Sequence, residues 1–323
     1  MRLQLTGPDM ARLVCLAVLV VLPFFVPSAY IRHLIIVSVI YAVVASNWNF
    51  SLGYGGIFNF GHLAFFGLGA YVSAILSKTL GITPWATIVL AGLAAVVAAI
   101  VVSIPVLRLK GIYVVLVTLA FGQLCQQLIM SQQWLTGGSQ GFPLVPQLAI
   151  GGYSFASDDK FGYYFVALLL LVISTLYLER LVRSNFGTSV MALRDNEDYA
   201  ISRGVSLARQ RLLTLVASAL FTGMAGWFIS TYTRVASPEI FNFGPLALSL
   251  SMMLLGGTGS IYGPIVGAFL ITIISEAMVD LGPVRFLIIS AMIILVLLFY
   301  PGGVIVALRR VYDQLLKLRP ARS

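Results

Sequence analysis

Apolar runs close to twenty residues long recur about ten times along this chain, and each matches the ~20 mostly apolar residues that a helix needs to cross a bilayer. The runs fall at residues 11–28, 34–50, 57–77, 85–105, 112–131, 161–179, 212–233, 244–258, 262–280 and 285–300. Composition agrees with them: 59% of the 323 residues are hydrophobic and 10% are charged, against about 45–50% and about 25% in soluble domains. A soluble fold could not hide so much apolar surface. The expectation is an all-α, polytopic membrane protein of about 10 transmembrane helices (a range of ~8–10). It forms one transmembrane domain over residues 1–323.

The first run has Arg2 and Arg12 near its start, as a signal sequence would. Pro23 and Pro27 disturb its end and no small-x-small cleavage site precedes Tyr30, so it is expected to stay as a first helix. Thr83–Pro84 has the form of an N-cap followed by proline at the first helical position, and Pro301-Gly302-Gly303 that of a helix stop. Cys15 and Cys125 lie in separate apolar runs and are expected to be buried thiols.

Charge sets the expected orientation. With the N-terminus, residues 106–111, residues 180–211 and the tail 304–323 on one side, that side holds 15 basic residues and the other holds 5. The positive-inside rule then places both termini in the cytoplasm. The net charge of +9 reflects this bias and not nucleic-acid binding. Two loops stand out: an outside loop at 132–160 and an inside loop at 180–211. The inside loop carries 6 of the 20 basic and 3 of the 11 acidic residues, which suggests a docking surface.

Glycine marks two zones, Gly53-Tyr54-Gly55-Gly56 and Gly256-Gly257-Thr258-Gly259, both too glycine-rich for unbroken helix. Gly259, Gly263 and Gly267 repeat every fourth residue, as do Gly69, Ser73 and Ser77. Such a stripe lets helix backbones approach closely; a broken helix beside a substrate path is the other reading. His62 with Asn59 either lines a path or is a hydrogen-bonded structural histidine. Gln123, Gln126 and Gln127 either hold helices together or line a path. Glu276 is expected to reach the outer interface near Asp280.

Enzymatic and metal signatures are absent from the sequence. It has no Gly-x4-Gly-Lys-Ser/Thr loop, no His-Glu-x-x-His helix and only His33 and His62 as imidazoles. A transport subunit without cofactor or metal is expected, and the lack of paired membrane carboxylates argues against a stand-alone secondary carrier.

Several ordered motifs resemble one family over residues 35–305. They are Ser51-Leu52-Gly53-Tyr54-Gly55-Gly56 running into Phe60-Gly61-His62-Leu63-Ala64-Phe65-Phe66-Gly67, then Gly111-Ile112-Tyr113, Thr118-Leu119-Ala120-Phe121-Gly122 and Leu255-Gly256-Gly257-Thr258-Gly259-Ser260. With them stands Phe186-Gly187-Thr188-Ser189-Val190-Met191-Ala192-Leu193-Arg194-Asp195-Asn196-Glu197, continued by Ala200, Gly204 and Val205. Together they resemble the branched-chain amino acid ABC importer permeases. Thr136-Gly137-Gly138-Ser139-Gln140-Gly141 is similar to the M-type subunit.

The resemblance implies an importer of the bacterial inner membrane, in which a sister permease subunit, two cytoplasmic ATP-binding subunits and an extracytoplasmic solute-binding protein work with this chain. It implies ATPase coupling through Gly187, Ala192, Arg194, Asp195, Asn196, Glu197, Asp198, Ala200 and Gly204, and alternating access driven from that segment. Tyr199 and Ile201 depart from the family pattern. Asn59, His62 and Gln123 are the expected translocation-path residues, and Gly259, Gly263 and Gly267 the packing glycines. Related permeases for urea, amides or sugars share the architecture.

Overall fold

The computed structural model describes residues 19–25, 28–151, 153–155, 160–282, 284–299 and 302–304. Arg2, Arg12, Cys15, Pro27, Asp158, Asp159, Pro301, most of the first run and most of the basic tail lie outside the described residues. The helices that follow are α1 (Ala29–Asn49), α2 (His62–Thr79), α3 (Pro84–Val106), α4 (Ile112–Ser131), α5 (Phe161–Arg183), α6 (Asn185–Asp195), α7 (Glu197–Ser202), α8 (Leu207–Thr233), α9 (Phe243–Gly256), α10 (Gly263–Ala277) and α11 (Val284–Phe299). Two short antiparallel ladders join β1 (Phe142–Pro143) to β4 (Val235–Ala236) and β2 (Ala149–Ile150) to β3 (Tyr153–Ser154).

Five of these helical segments are long and apolar enough to cross a membrane: 29–54, α3, α4, α5 and α8. The helices α9, α10 and α11 are apolar but shorter. The expected runs from 34 onward therefore each coincide with a helix, and α4 matches its run at both ends. Pro84 does open α3, yet the Thr83 side chain makes no capping bond. The backbone carbonyl of Thr83 accepts from the Ala86 N–H instead.

Small residues dictate the tightest packing. Gly69 on α2 lies so near α8 that an added Cβ would stand 2.2 Å from the Gly223 carbonyl oxygen. At Gly226 the same atom would stand 2.0 Å from the Phe66 oxygen, and Gly223 faces Ala91 and Ala95 of α3. The backbones of α2, α3 and α8 thus touch almost directly, as small-residue stripes permit. Ser73 and Ser77 add hydrogen bonds to Thr87 of α3 at 3.1 and 3.4 Å.

Around this unit, α1 buries Ile36, Val39, Ile40, Val43, Val44 and Trp48 in a core shared with α5, α8, α9 and α10. Trp227 ties α8 to α3 by donating to the Pro84 carbonyl at 2.6 Å.

Candidate functional site

Both glycine-rich zones break their helices. The end of α1 widens into a π-helical turn, Phe50–Tyr54, and residues 56–59 have no regular structure before α2. The end of α9 stops at Gly256, and α10 begins at Gly263. The two breaks meet in space. Asn49 Nδ2 donates to the Ser260 carbonyl at 2.8 Å, and its Oδ1 accepts from the Gly259 N–H at 3.0 Å. One buried amide thus uses both ends on the two backbone groups of a facing loop. Gly53 has room for no side chain there, because a Cβ would lie 2.7 Å from the Gly259 nitrogen.

This junction corrects the expected packing stripe. Gly263 and Gly267 are helical and press against α9, where Cβ atoms would meet Gly257 O at 2.6 Å and Met252 O at 1.9 Å. Gly259 lies before the helix at φ +75°, in the break. The four-residue repeat therefore does not form one continuous face; its first member serves a turn.

The charged segment 180–211 folds into α6 and α7 packed under the first break. Ser184 caps α6 by accepting from the Gly187 N–H at 3.3 Å, and Asn196 caps α7 by accepting from the Tyr199 N–H at 3.0 Å. Gly187 is buried where a Cβ would stand 2.3 Å from the Leu181 oxygen, so the α5–α6 corner demands glycine. Ala200 is buried, and its carbonyl accepts from the Val205 N–H. Gly204 closes the turn at φ +87°.

The charges divide by direction. Arg194 Nη1 donates to the Gly53 carbonyl at 2.8 Å, while its Nε and Nη2 reach Asp195 Oδ1. Glu197 is held by Arg211 of α8 at 3.1 Å and by Lys110 before α4 at 2.5 Å. Arg211 also donates to the Leu109 carbonyl at 3.0 Å. The Lys110 side chain is 72% exposed and that of Arg211 15%, so the Arg211 pair is the stronger of the two. Ala192, Asp198, Tyr199 and Ile201 face outward. Arg194 and Glu197 therefore tie the segment to the first break, the α3–α4 turn and α8. Sequence reading missed Asn49, Lys110 and Arg211; a lone amide beside Gly53 and a basic residue at the foot of an apolar run were the available signals.

The expected path residues sit apart. His62 is fully buried, stacks on Trp48 at 5.6 Å and lies 2.9 Å from Thr222 Oγ1. Thr222 Oγ1 in turn donates to the Ser218 carbonyl at 2.8 Å. Asn59 is buried and accepts from the Gly61 N–H, fixing the turn into α2. Gln123 is exposed on α4 and donates weakly to the Phe241 carbonyl at 3.5 Å. It lines a small cavity with Phe60, Gly61, Leu63 and Phe243. Gln126 donates to Asn242 Oδ1 at 2.7 Å and to the Pro238 carbonyl at 3.2 Å, so it holds α4 to the 238–242 turn, while Gln127 is exposed. Glu276 accepts from the Tyr30 hydroxyl at 2.6 Å in an exposed pair. Cys125 is a buried free thiol. Among the described residues no cluster of His, Cys, Asp or Glu could hold a metal.

Comparison with known proteins now adds the family. A family model described as "Branched-chain amino acid transport system / permease component" matches residues 30–299. The high-affinity branched-chain amino acid transport system permease protein LivM of Escherichia coli K12 is 31% identical, over 91% of this chain and 74% of that one. LivM of Salmonella typhimurium is 30% identical over 90% and 73%. LivH of Escherichia coli K12, named for the same kind of system, is 26% identical over 82% and 91%. No solved structure matches the chain. The broken helices, the anchored charged segment and these matches converge: the chain belongs to the branched-chain amino acid transport permease family and is a multi-pass membrane transport subunit, not an enzyme.

Proposed function

We propose that this chain carries branched-chain amino acids across the bacterial inner membrane as the M-type half of a permease pair. A LivH-like sister chain forms the other half, two cytoplasmic ATP-binding subunits drive it, and an extracytoplasmic solute-binding protein delivers cargo to the 132–160 loop. The chain has about ten spans with both termini in the cytoplasm, in line with the ~20-residue helical span and the bias of its Lys and Arg.

The observation that carries this reading is the anchoring of α6 and α7. Arg194 and Glu197 bind three separate permease elements, while Asp198, Tyr199 and Ile201 stay exposed. A segment held firmly on one side and open on the other suits transmission of rigid-body motion from an ATPase. Gly187, Ala200 and Gly204 shape the segment; Ala192, Asp195, Asn196 and Asp198 offer the docking face, with Tyr199 and Ile201 as its apolar centre. Gln123 is the best-placed path residue, because an exposed amide on an apolar helix is costly against lipid. His62 and Asn59 act one layer behind it, setting the position of α2.

Reconstituting the chain with its sister permease, ATPases and binding protein tests the proposal. ATP-dependent leucine uptake into proteoliposomes is the expected result. Cysteine placed at Tyr199 should crosslink to an ATPase subunit, and uptake without any ATPase would overturn the reading.

A further inference from the structure

Each helix break frees backbone groups, and side chains from other elements take them up. Gly53 lies in the π-helical turn, and its carbonyl accepts from Arg194 of α6 at 2.8 Å. In the second break the Gly259 N–H and the Ser260 carbonyl both go to Asn49, the last residue of α1, at 3.0 and 2.8 Å. We propose that Asn49 is a positioning residue for transport: its amide locks the two breaks into one joint, through which a shift of α6 reaches α10. The inference deepens the coupling function proposed above and rests on it.

Directional bonds run through the joint without a gap. Arg194 ties α6 to the first break, and Asn49 ties the first break to the second. Ser260 Oγ then accepts from the N–H of Gly263, the first residue of α10, at 2.8 Å. Apolar packing follows the same route. Phe50 and Tyr54 of the first break share a cluster on which Ile261 of the second break packs, and Phe186 and Met191 of α6 pack on it too.

Apolar contact is non-directional, so packing alone would let the two loops slide past each other. Asn49 removes that freedom. Its side chain is buried and presents a donor and an acceptor on one planar group, so both bonds are made at one relative position of the loops. Moving either loop alone breaks them, whereas moving the loops together keeps them. Gly263 and Gly267 press α10 onto α9 with backbone against backbone, so the two helices follow as one rigid body.

Labelling by a membrane-impermeant maleimide at Val279→Cys, just past the end of α10 and 48% exposed, reads the transmitted motion in the assembled complex. A non-hydrolysable ATP analogue is expected to change the labelling rate at least threefold when Asn49 is present. Asn49→Leu should abolish that response, while Tyr199→Cys in the same chain still crosslinks to an ATPase subunit; a merely structural role would remove both. The Arg194 side chain is 36% exposed, so Arg194→Met keeps the fold even where the change at Asn49 does not, and it should abolish the response as well. A response that survives either variant in a folded chain overturns the inference. So does the absence of a response in a chain that keeps both residues and crosslinks normally, or loss of the crosslink together with the response in Asn49→Leu. Failure of Tyr199→Cys to crosslink with Asn49 and Arg194 in place overturns the coupling function itself, and this inference with it.

Discussion

The unit formed by α2, α3 and α8 and the lone helix α4 are both apolar and both span length, yet they are packed in opposite ways. In α8, 67% of the most apolar window is buried within the chain; in α4 the figure is 22%. The first has glycines and alanines that bring backbones into contact. The second presents Ile112, Tyr113, Leu116, Leu124 and Leu128 outward, interrupted by Gln123 and Gln127. In a bilayer, hydrophobicity alone drives no helix association, since lipid is as apolar as leucine. Fit between surfaces separates the two regions: one is closely packed within the chain, and the other leaves most of its surface uncovered by it.

The sharpest way to break that contrast is to enlarge a glycine inside the closely packed unit. Gly226→Leu pushes side-chain atoms into the Phe66 carbonyl region; overpacking of this kind costs ~1–3 kcal/mol and more where backbone is the obstacle. The variant is expected to lose most of its folded yield in fluorescence-detected gel filtration. The same experiment on α4, with Gly122→Leu, should leave yield unchanged, because an added Cβ at Gly122 meets only Gly61 Cα at 3.9 Å.

A smaller effect is expected at the anchors that hold α6 and α7, the segment proposed to couple to the ATPase. Reversing both Arg194→Glu and Glu197→Lys should cut binding-protein-stimulated ATPase activity at least tenfold while the chain remains inserted; normal stimulation would sink the anchoring role. Lys110→Met alone should change that stimulation less than twofold, because its side chain is largely in solvent and exposed pairs contribute about 0–1 kcal/mol. Smallest of all is the stability change at Gln123→Leu. Its one long hydrogen bond predicts a melting temperature within experimental error of wild type, together with a several-fold drop in leucine uptake. A drop in stability of the same relative size would make Gln123 a packing residue like those of α8.

Element positions were legible because the bilayer allows few solutions: with no water to satisfy the backbone, an apolar run of span length becomes helix. Glycine-rich 53–56 and 256–259 were legible as breaks for the same reason that glycine resists helix. What the sequence hid was their meeting. Asn49 and Gly259 stand 210 positions apart, and no periodicity links them. The charges of residues 180–211 were visible as a cluster, but their division was not. Arg194 and Asp198 look alike on paper, and only the place of α6 beneath Gly53 turns the first inward. Gly259 was misplaced on a helical stripe because its spacing fits a four-residue period, although its positive φ does not.

The Asn49 clasp has a consequence for synthesis. A chain grows at about 5–20 residues per second, so the 210 positions between Asn49 and Gly259 take roughly 10–40 s to emerge. Throughout that interval α1 is in place without the loop its amide is shaped to hold. This helix is thus made early and is among the last to be finished. Until residue 260 arrives, the amide at the end of this apolar helix lacks both backbone groups that it holds in the finished chain.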